Sequence, residues 1–226
     1  MDGWSKFGAP RFSPMSPARL KPTAPIAADA ILVGDPGRAL LLAQELLEQP
    51  KMSNHARGLW GYGGRTAAGD ELTIQSTGMG GPSATVVLAD LAELGLRRAV
   101  RIGTCASLGD LELGDLLLVR QARAPSGEAA GPDEELTASL GRALPGAQLG
   151  VVVSLDDLHR GENDLPGGPA EAADMQTAAL LAAARARGVV AGAVLLVTER
   201  AGGEQLGEET RDEKVKEAGR AITALL

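Results

Sequence analysis

Glycine-rich turns with arginines close by are the part of this chain best suited to chemistry. They occupy residues 34–38 (GDPGR), 76–83 (STGMGGPS) and 101–104 (RIGT). Glycine lets backbone N–H groups approach a ligand closely, and a helix that follows such a turn adds partial positive charge. Arg38 and Arg101 add planar guanidinium groups that suit phosphate oxygens. Together the three turns predict a site for inorganic phosphate or a phosphate ester.

Each of these turns is expected at the end of an apolar strand. Hydrophobic periodicity predicts strands at 30–33, 99–103, 115–121, 150–154 and 189–198, and a hairpin over 58–76. It predicts helices over 37–48, 82–95, 134–144, 169–187 and 208–226.

Strands that alternate with helices in this way predict the fold class. We expect a single α/β domain with a central, mixed, mostly parallel β-sheet between helices, in a three-layer sandwich. Ligands of such sheets bind beyond the carboxyl ends of the strands. All three turns would lie at that edge.

The composition excludes several classes of partner. The 226 residues carry a net charge of -7, a pI near 5.0 and only 2% aromatic residues, although 44% are hydrophobic. A nucleic-acid backbone requires a basic face, so no nucleic acid is expected as a partner. No apolar run approaches the roughly 18 residues that a membrane span requires, so no membrane association is expected either.

Cysteine usage and the first residues bear on the compartment and the domain limits. Cys105 is the single cysteine and cannot form an internal disulfide, and residues 1–28 contain no apolar signal-peptide core. We therefore expect a cytoplasmic protein. The proline-rich residues 1–28 predict a partly disordered extension, and 29–226 the catalytic domain. No Cys/His spacing typical of zinc occurs, so no metal is expected.

The order and spacing of the motifs resemble the nucleoside phosphorylase family, which includes uridine phosphorylase and the hexameric purine nucleoside phosphorylases. The segments that carry the resemblance are 34–38, 53–58 (SNHARG), 76–83, 101–104 and 174–179 (DMQTAA). The resemblance implies a pentosyltransferase that cleaves the N-glycosidic bond of a nucleoside with phosphate, giving free base and pentose 1-phosphate. Inorganic phosphate would be the co-substrate, with no cofactor.

The resemblance also assigns the phosphate site. Residues that match the phosphate ligands of the family are Gly34, Arg38, Arg101 and Thr104, and a second subunit would lend Arg57. A homodimer is then the minimal unit, and a homohexamer is the expected assembly. Arg101 is also a catalytic candidate, because an arginine in a buried strand requires an anionic partner, either a ligand or an internal carboxylate. We expect the ligand.

The sugar site departs from the family pattern. The family usually shows Glu-Met-Glu on the helix that meets the ribose, whereas this chain has Asp174-Met175-Gln176. Met79, Met175 and Gln176 are the expected sugar-binding residues. Glutamine can still form hydrogen bonds to hydroxyls, but it lacks the charge of glutamate. The identity of the sugar therefore stays open.

The base site is the least defined. Thr198, His159 and Glu162 are the base-binding candidates, and Glu199 and Arg200 join Arg101 as catalytic candidates. Purine-specific members carry Ser-Asp at the end of the late strand, and uridine-specific members an arginine near this point. By this resemblance, the uridine type is favoured over the purine type by Arg200, Thr104 and the 76–78 turn. A nucleosidase that uses water, or a catalytically weak nucleoside- or phosphate-binding relative, are the alternatives.

Overall fold

The computed structural model describes residues 19–157, 168–200 and 202–226. Ten strands are present in these ranges: β1 Asp29–Val33, β2 Glu48–Asn54, β3 Gly61–Arg65, β4 Glu71–Ser76, β5 Arg98–Ser107, β6 Leu116–Arg123, β7 Ala129–Ala130, β8 Gln148–Ser154, β9 Ala172–Asp174 and β10 Val190–Glu199. The helices there are α1 Pro36–Leu46, α2 Gly81–Glu93, α3 Glu134–Ala143, α4 Thr177–Ala186 and α5 Glu208–Thr223, with a short 3₁₀ turn at Ala56–Gly58. The α/β class and the mixed sheet flanked by helices are confirmed.

The sheet is partly closed, which the sequence pattern did not predict. Its order is β10-β6-β8-β9-β5-β1-β4-β3-β2, and β10 also pairs with β5. The strands β5, β9, β8, β6 and β10 therefore form a ring, and β1 to β4 extend from it as an open sheet. The pairs β1–β4, β1–β5 and β5–β10 are parallel, so their carboxyl ends meet at one edge.

Side chains of alternate residues in the strands pack on opposite faces of the sheet. Ala30 and Leu32 of β1 belong to a buried cluster with α2 and α4. Ile31 and Val33 of β1 belong to a second cluster with α1, α3 and α5. This two-residue period is what a strand buried on both faces requires.

Local signals fix where the helices around the predicted site begin. The Asp35 carboxylate accepts the Arg38 backbone N–H at 2.9 Å and caps α1, with proline in its first turn. Gly80 precedes α2 with φ 81°, a left-handed conformation that glycine adopts without steric cost. The 34–38 and 76–83 turns of the predicted phosphate site therefore each lead from a strand into a helix, as expected.

Two of the predicted elements are wrong in part. The third motif is not a turn, because β5 continues through Arg101 and Thr104 to Ser107 and is paired with β10 as far as Ala106. The predicted helix 169–187 contains instead the strand β9, a short loop and α4. Alanine is compatible with both helix and strand. Residues 172–174 form a strand because they pair with β5 on one side and β8 on the other. The strand β2 had no sequence-based prediction.

Residues 19–28 lie against the domain. The Leu20 side chain is buried, and the Asp90 carboxylate of α2 accepts the backbone N–H groups of Arg19 and Leu20, each at 2.9 Å. The Ala27 N–H donates to the Thr73 hydroxyl. The domain limit at residue 29 stays a prediction, and residues 1–18 lie outside the described residues. Within the described ranges, none of the helices has the length and hydropathy to span a bilayer.

Candidate active site

A cavity of about 380 Å³ opens where the carboxyl ends of β1, β4 and β10 meet the second half of β5. Its walls come from the 34–38 turn, the 78–80 turn, β5, the loop between β9 and α4, and the end of β10. The predicted site residues on these walls are Gly34, Arg38, Met79, Arg101, Thr104, Met175, Gln176, Thr198 and Glu199. The structure thus brings together predicted phosphate, sugar and base residues from distant parts of the chain.

The remaining predicted residues are not on these walls. Arg200 does not line the cavity, and its guanidinium forms a 2.6 Å ion pair with Glu112. Arg57 is exposed in the 3₁₀ turn, with a positive φ of 61°, and does not line the cavity of its own chain either. His159 and Glu162 lie outside the described residues.

Arg101 is held by three protein side chains. Its Nη2 lies 3.1 Å from the Asp174 Oδ2, its Nη1 donates to the Gln176 Oε1 at 2.8 Å, and its Nε donates to the Thr177 hydroxyl at 3.1 Å. The counter-charge expected from a ligand is thus supplied by an internal carboxylate. Because a guanidinium has five N–H donors, one donor on each terminal nitrogen stays available to an anion.

The Asp174 carboxylate is itself fully engaged. It accepts the hydroxyls of Ser154, at 2.5 Å, and Thr177, at 2.6 Å, as well as the Thr177 backbone N–H at the start of α4. A carboxylate at a helix N-terminus is favoured by the partial positive charge there. These contacts place Asp174 as the fixed anion against which Arg101 is oriented.

Gly103 makes room for this arrangement. A Cβ atom at Gly103 would lie 2.7 Å from Arg101 Nη2 and 2.6 Å from a Leu195 methyl, closer than real contacts allow. The arginine side chain folds back over its own strand at this point. A side chain at this position would therefore displace the guanidinium from the position that it has on the cavity wall.

Arg38 differs from Arg101 in having a nitrogen without a partner. Its Nη1 is buried and forms no hydrogen bond among the described residues. Burial lowers the pKa of Arg38, and repulsion from Arg101 and Arg211 adds to this effect. The Asp35 and Asp212 carboxylates oppose it. Two cations close together, one with an unpaired buried donor, form an environment that an anion would stabilise.

The Cys105 thiol lies on the cavity wall but is not set up as a nucleophile. It is buried, and its Sγ is 3.6 Å from the Leu196 carbonyl oxygen. Burial and the nearby Asp174 carboxylate raise the pKa of Cys105, against a smaller opposing effect of Arg101. The group stays a neutral thiol at neutral pH.

Asp174 and Thr177 are the residues to which sequence reasoning gave no role. A signal was present, because an arginine in a buried strand requires an anion, and Asp174 begins the DMQ motif. The sequence could not show that β9 brings Asp174 beside β5. No group of three or more acidic, cysteine or histidine side chains suited to a metal ion occurs in the part of the chain that the structure describes.

Comparison with known proteins identifies the family. The model of the Phosphorylase superfamily matches residues 29–226, which is most of the chain. The chain belongs to this superfamily.

Individual relatives agree with this assignment. The chain is 31% identical over 209 residues to a DeoD-type purine nucleoside phosphorylase of Alkaliphilus metalliredigens, covering 83% of this chain and 89% of that protein. It is 37% identical over 103 residues to a DeoD-type purine nucleoside phosphorylase of Oceanobacillus iheyensis. That match spans only 45% of this chain and 43% of the relative.

A solved structure supports the fold. The crystal structure of a purine nucleoside phosphorylase from Toxoplasma gondii, in complex with immucillin-H, has a TM-score of 0.76 to this chain. The two are 22% identical, and the match covers 88% of this chain and 92% of that one.

Proposed function

We propose that this chain is a nucleoside phosphorylase that acts on purine nucleosides. The reaction would use inorganic phosphate to cleave the N-glycosidic bond, giving a free purine base and a pentose 1-phosphate. One observation carries the proposal: Arg38, with its unpaired buried Nη1, and Arg101, with two available N–H donors, line one cavity with Gly34 and Thr104. Two guanidinium groups converging in this way suit a phosphate dianion.

The chemistry of the cleavage explains why an anion site is needed. A phosphate oxygen forms a bond to C1′ of the sugar while the C1′–N bond breaks, and the electron pair of that bond leaves with the base. The transition state has cationic character at the sugar, so a bound anion next to C1′ both stabilises it and attacks it. A protein nucleophile or a metal ion is not required for this step. Phosphate held by the arginines supplies both the nucleophile and the negative charge that stabilises the cationic sugar.

The base departs with negative charge that a proton or hydrogen-bond donor must neutralise. Thr198 and Glu199 line the cavity at the end of β10, where purine-specific members of the resembled family carry Ser-Asp. Glu199 is the candidate donor to the purine ring. Both relatives described above are named purine nucleoside phosphorylases, so the uridine preference expected from Arg200 is not supported. The ion pair of Arg200 with Glu112 also weighs against that preference.

A phosphate-dependence assay tests the proposal. The protein is incubated with inosine, guanosine, adenosine, uridine or thymidine, with and without phosphate, and the free base is measured. We expect release of purines that requires phosphate and saturates with it. Release at the same rate without phosphate would identify a nucleosidase, and binding without turnover would identify a binding protein.

The proposal includes a second subunit. Arg57 is exposed, lies outside the cavity of its own chain and has a backbone conformation that presents it on a tight 3₁₀ turn. We propose that it completes the phosphate site of a neighbouring copy, with a homodimer as the minimal unit and a homohexamer as the full assembly. The cytoplasm stays the expected compartment.

Mixing two inactive variants tests this arrangement. Arg57→Ala and Arg38→Ala are each expected to lose most activity alone at a low phosphate concentration, and Arg38→Ala should leave the fold intact. A mixed dimer carries one site with both arginines intact. Because random pairing on co-expression makes about half of the dimers mixed, about a quarter of the activity should be restored. Mixed oligomers with no recovered activity would show that Arg57 acts within its own chain or not at all. Arg65→Ala, an exposed arginine outside the cavity, is the control.

A further inference from the structure

Two buried side-chain amides contact the turn that carries Arg57. The Asn54 Nδ2 donates to the Leu59 carbonyl oxygen in a short hydrogen bond, and the Gln75 Nε2 donates to the same oxygen at 2.9 Å. Asn54 is 1% exposed, and Gln75 is fully buried. We call residues 55–59 the Arg57 turn. Leu59 is its last residue, so both amides hold the same end of the turn.

The backbone of Arg57 has a conformation that requires support from its surroundings. Its φ is 61° and its ψ is 20°, in the left-handed region that residues with a side chain rarely adopt. Such a residue persists there only where neighbouring groups fix it. Inside the turn, the N–H groups of Gly58 and Leu59 form hydrogen bonds of 3.3 and 3.1 Å to backbone oxygens. The two amides add hydrogen bonds from outside the turn, on the strands β2 and β4.

The Gln75 amide has room because the residue beside it on β3 has no side chain. Gly61 of β3 pairs with Asn54 of β2 on one side and with Gln75 of β4 on the other. A Cβ atom at Gly61 would overlap the Gln75 Oε1 and would lie 3.3 Å from the Ser53 Oγ. Glycine at this position therefore leaves the space that the Gln75 amide occupies next to the end of the Arg57 turn.

Each amide is also bound to a second part of the domain. The backbone N–H of Lys21 donates to the Asn54 Oδ1 at 2.8 Å, so the amide nitrogen is the group that faces Leu59. The Gln75 Nε2 donates to the Ser76 carbonyl oxygen at 2.9 Å as well. The end of the Arg57 turn is therefore connected to the segment before β1 and to the end of β4.

We infer that Asn54 and Gln75 are positioning residues for the phosphate site of the neighbouring copy, and that they act through Arg57. This inference rests on the proposed function, in which one chain lends Arg57 to the cavity of another. Neither amide lines the cavity of its own chain. A guanidinium binds phosphate oxygens well only when its donors are placed accurately, so loss of either amide should weaken the contact. Because the second amide still holds the Leu59 oxygen, each single variant should fold.

Phosphate kinetics of single and double variants provide the first test. We expect Asn54→Ala and Gln75→Met each to raise the phosphate KM by about tenfold, with kcat at saturating phosphate within about twofold of the original chain. In Asn54→Ala/Arg57→Ala the phosphate KM should equal that of Arg57→Ala alone, because Asn54 acts through the arginine. Effects that multiply would overturn the inference, as would an unchanged KM in both single variants.

Thr73→Val is the control for loss of a buried polar group. The Thr73 hydroxyl lies on β4 as Gln75 does, but it accepts the Ala27 N–H and is 1% exposed. This variant should lower the melting temperature and leave the phosphate KM unchanged. A rise in the phosphate KM equal to that of Gln75→Met would show that any destabilisation of β4 has this effect, and would overturn the inference.

Mixed dimers test in which copy Asn54 acts. Asn54→Ala and Arg57→Ala both damage the lent arginine, so their co-expression should restore no activity at low phosphate. Asn54→Ala with Arg38→Ala leaves one intact site in each mixed dimer, so about a quarter of the activity should return. Recovery in the first pair, or none in the second, would place the effect of Asn54 in its own chain and overturn the inference.

Hydrogen exchange tests the support of the turn without any turnover. The N–H groups of Gly58 and Leu59 should exchange at least about tenfold faster in Asn54→Ala and Gln75→Met than in the original chain or in Thr73→Val. Equal exchange in all four proteins would overturn the inference. If no nucleoside is cleaved, the proposed function fails, and this measurement alone decides whether the amides hold the turn.

Discussion

Arg101 and Asp174 form a buried ion pair across the junction of β5 and β9, with 3.1 Å between Nη2 and Oδ2 and side chains only 4% and 1% exposed. The pair joins the middle of the sheet to the start of α4. It fixes the orientation of an arginine that lines the cavity and leaves a donor on each terminal nitrogen for an anion. Stability and phosphate binding are therefore expected to depend on the same two residues.

Asp174→Ala should strongly destabilise the protein. Removing one partner of a buried ion pair leaves the other charge buried and uncompensated, which costs about 3–5 kcal/mol. Urea unfolding measures the loss. Glu71→Ala is the control, because its partner Arg65 is 62% exposed and such surface pairs contribute about 1 kcal/mol or less. Equal losses in the two variants would contradict the central role of the buried pair.

Arg38→Ala should weaken phosphate binding without destabilising the fold. Its buried Nη1 has no partner in the described structure, so the free energy of unfolding should stay constant or increase when phosphate is absent. Loss of charge-assisted bonds of about 1.5–3 kcal/mol corresponds to a phosphate KM raised about 10- to 100-fold. Steady-state kinetics over a phosphate series measures this. Arg65→Ala should change neither quantity, and an unchanged phosphate KM in Arg38→Ala would argue against the phosphate site.

Gly103→Ala should impair the site through sterics alone. The added methyl group would lie too close to both the Arg101 guanidinium and Leu195, so both side chains must move. Overpacking of this kind costs about 1–3 kcal/mol, and the displaced guanidinium should raise the phosphate KM as well. Thermal unfolding and phosphate kinetics measure the two effects. Gly109→Ala is the control, because a Cβ atom at that position meets nothing within 4 Å.

Because of Cys105, the free energy of unfolding should decrease as the pH becomes alkaline. Burial raises the pKa of Cys105 in the folded protein, while in the unfolded chain a thiol ionises near pH 8.5, an approximate value. Above that pH the unfolded state has lost a proton that the folded state keeps, so the free energy of unfolding falls as pH rises. The slope from this group is up to about 1.4 kcal/mol per pH unit.

Denaturant unfolding at pH 7.5, 8.5 and 9.5 measures this dependence. Cys105→Ala removes the titrating group, so its stability should fall less steeply above pH 8.5 than that of the unchanged chain. The thiol should also resist alkylation by iodoacetamide in the folded state at pH 8.5 and react after unfolding. Rapid alkylation of the folded protein would show that the thiol is more accessible than the structure indicates.

The sequence by itself determined the fold class and most of the cavity residues. Hydrophobic periodicity located β1, β10 and the helices α1, α2, α3 and α5, because each buries residues at a regular spacing. The 34–38 and 76–83 turns were recognisable from glycine and proline at positions where a strand must turn into a helix. Such signals are local and can be read without knowing what packs against them.

Only the tertiary structure decided how these residues are used. Closure of the ring through β9 and β10 carries Asp174 to Arg101, so an internal carboxylate takes the role expected of a ligand. In the same way, Gln176 hydrogen-bonds to Arg101 and to the 77–80 turn, whereas Arg200 forms an ion pair with Glu112 outside the cavity. These contacts join residues far apart in the chain. Because their partners are set by strand pairing and not by local pattern, the sequence named the residues but could not assign their hydrogen bonds.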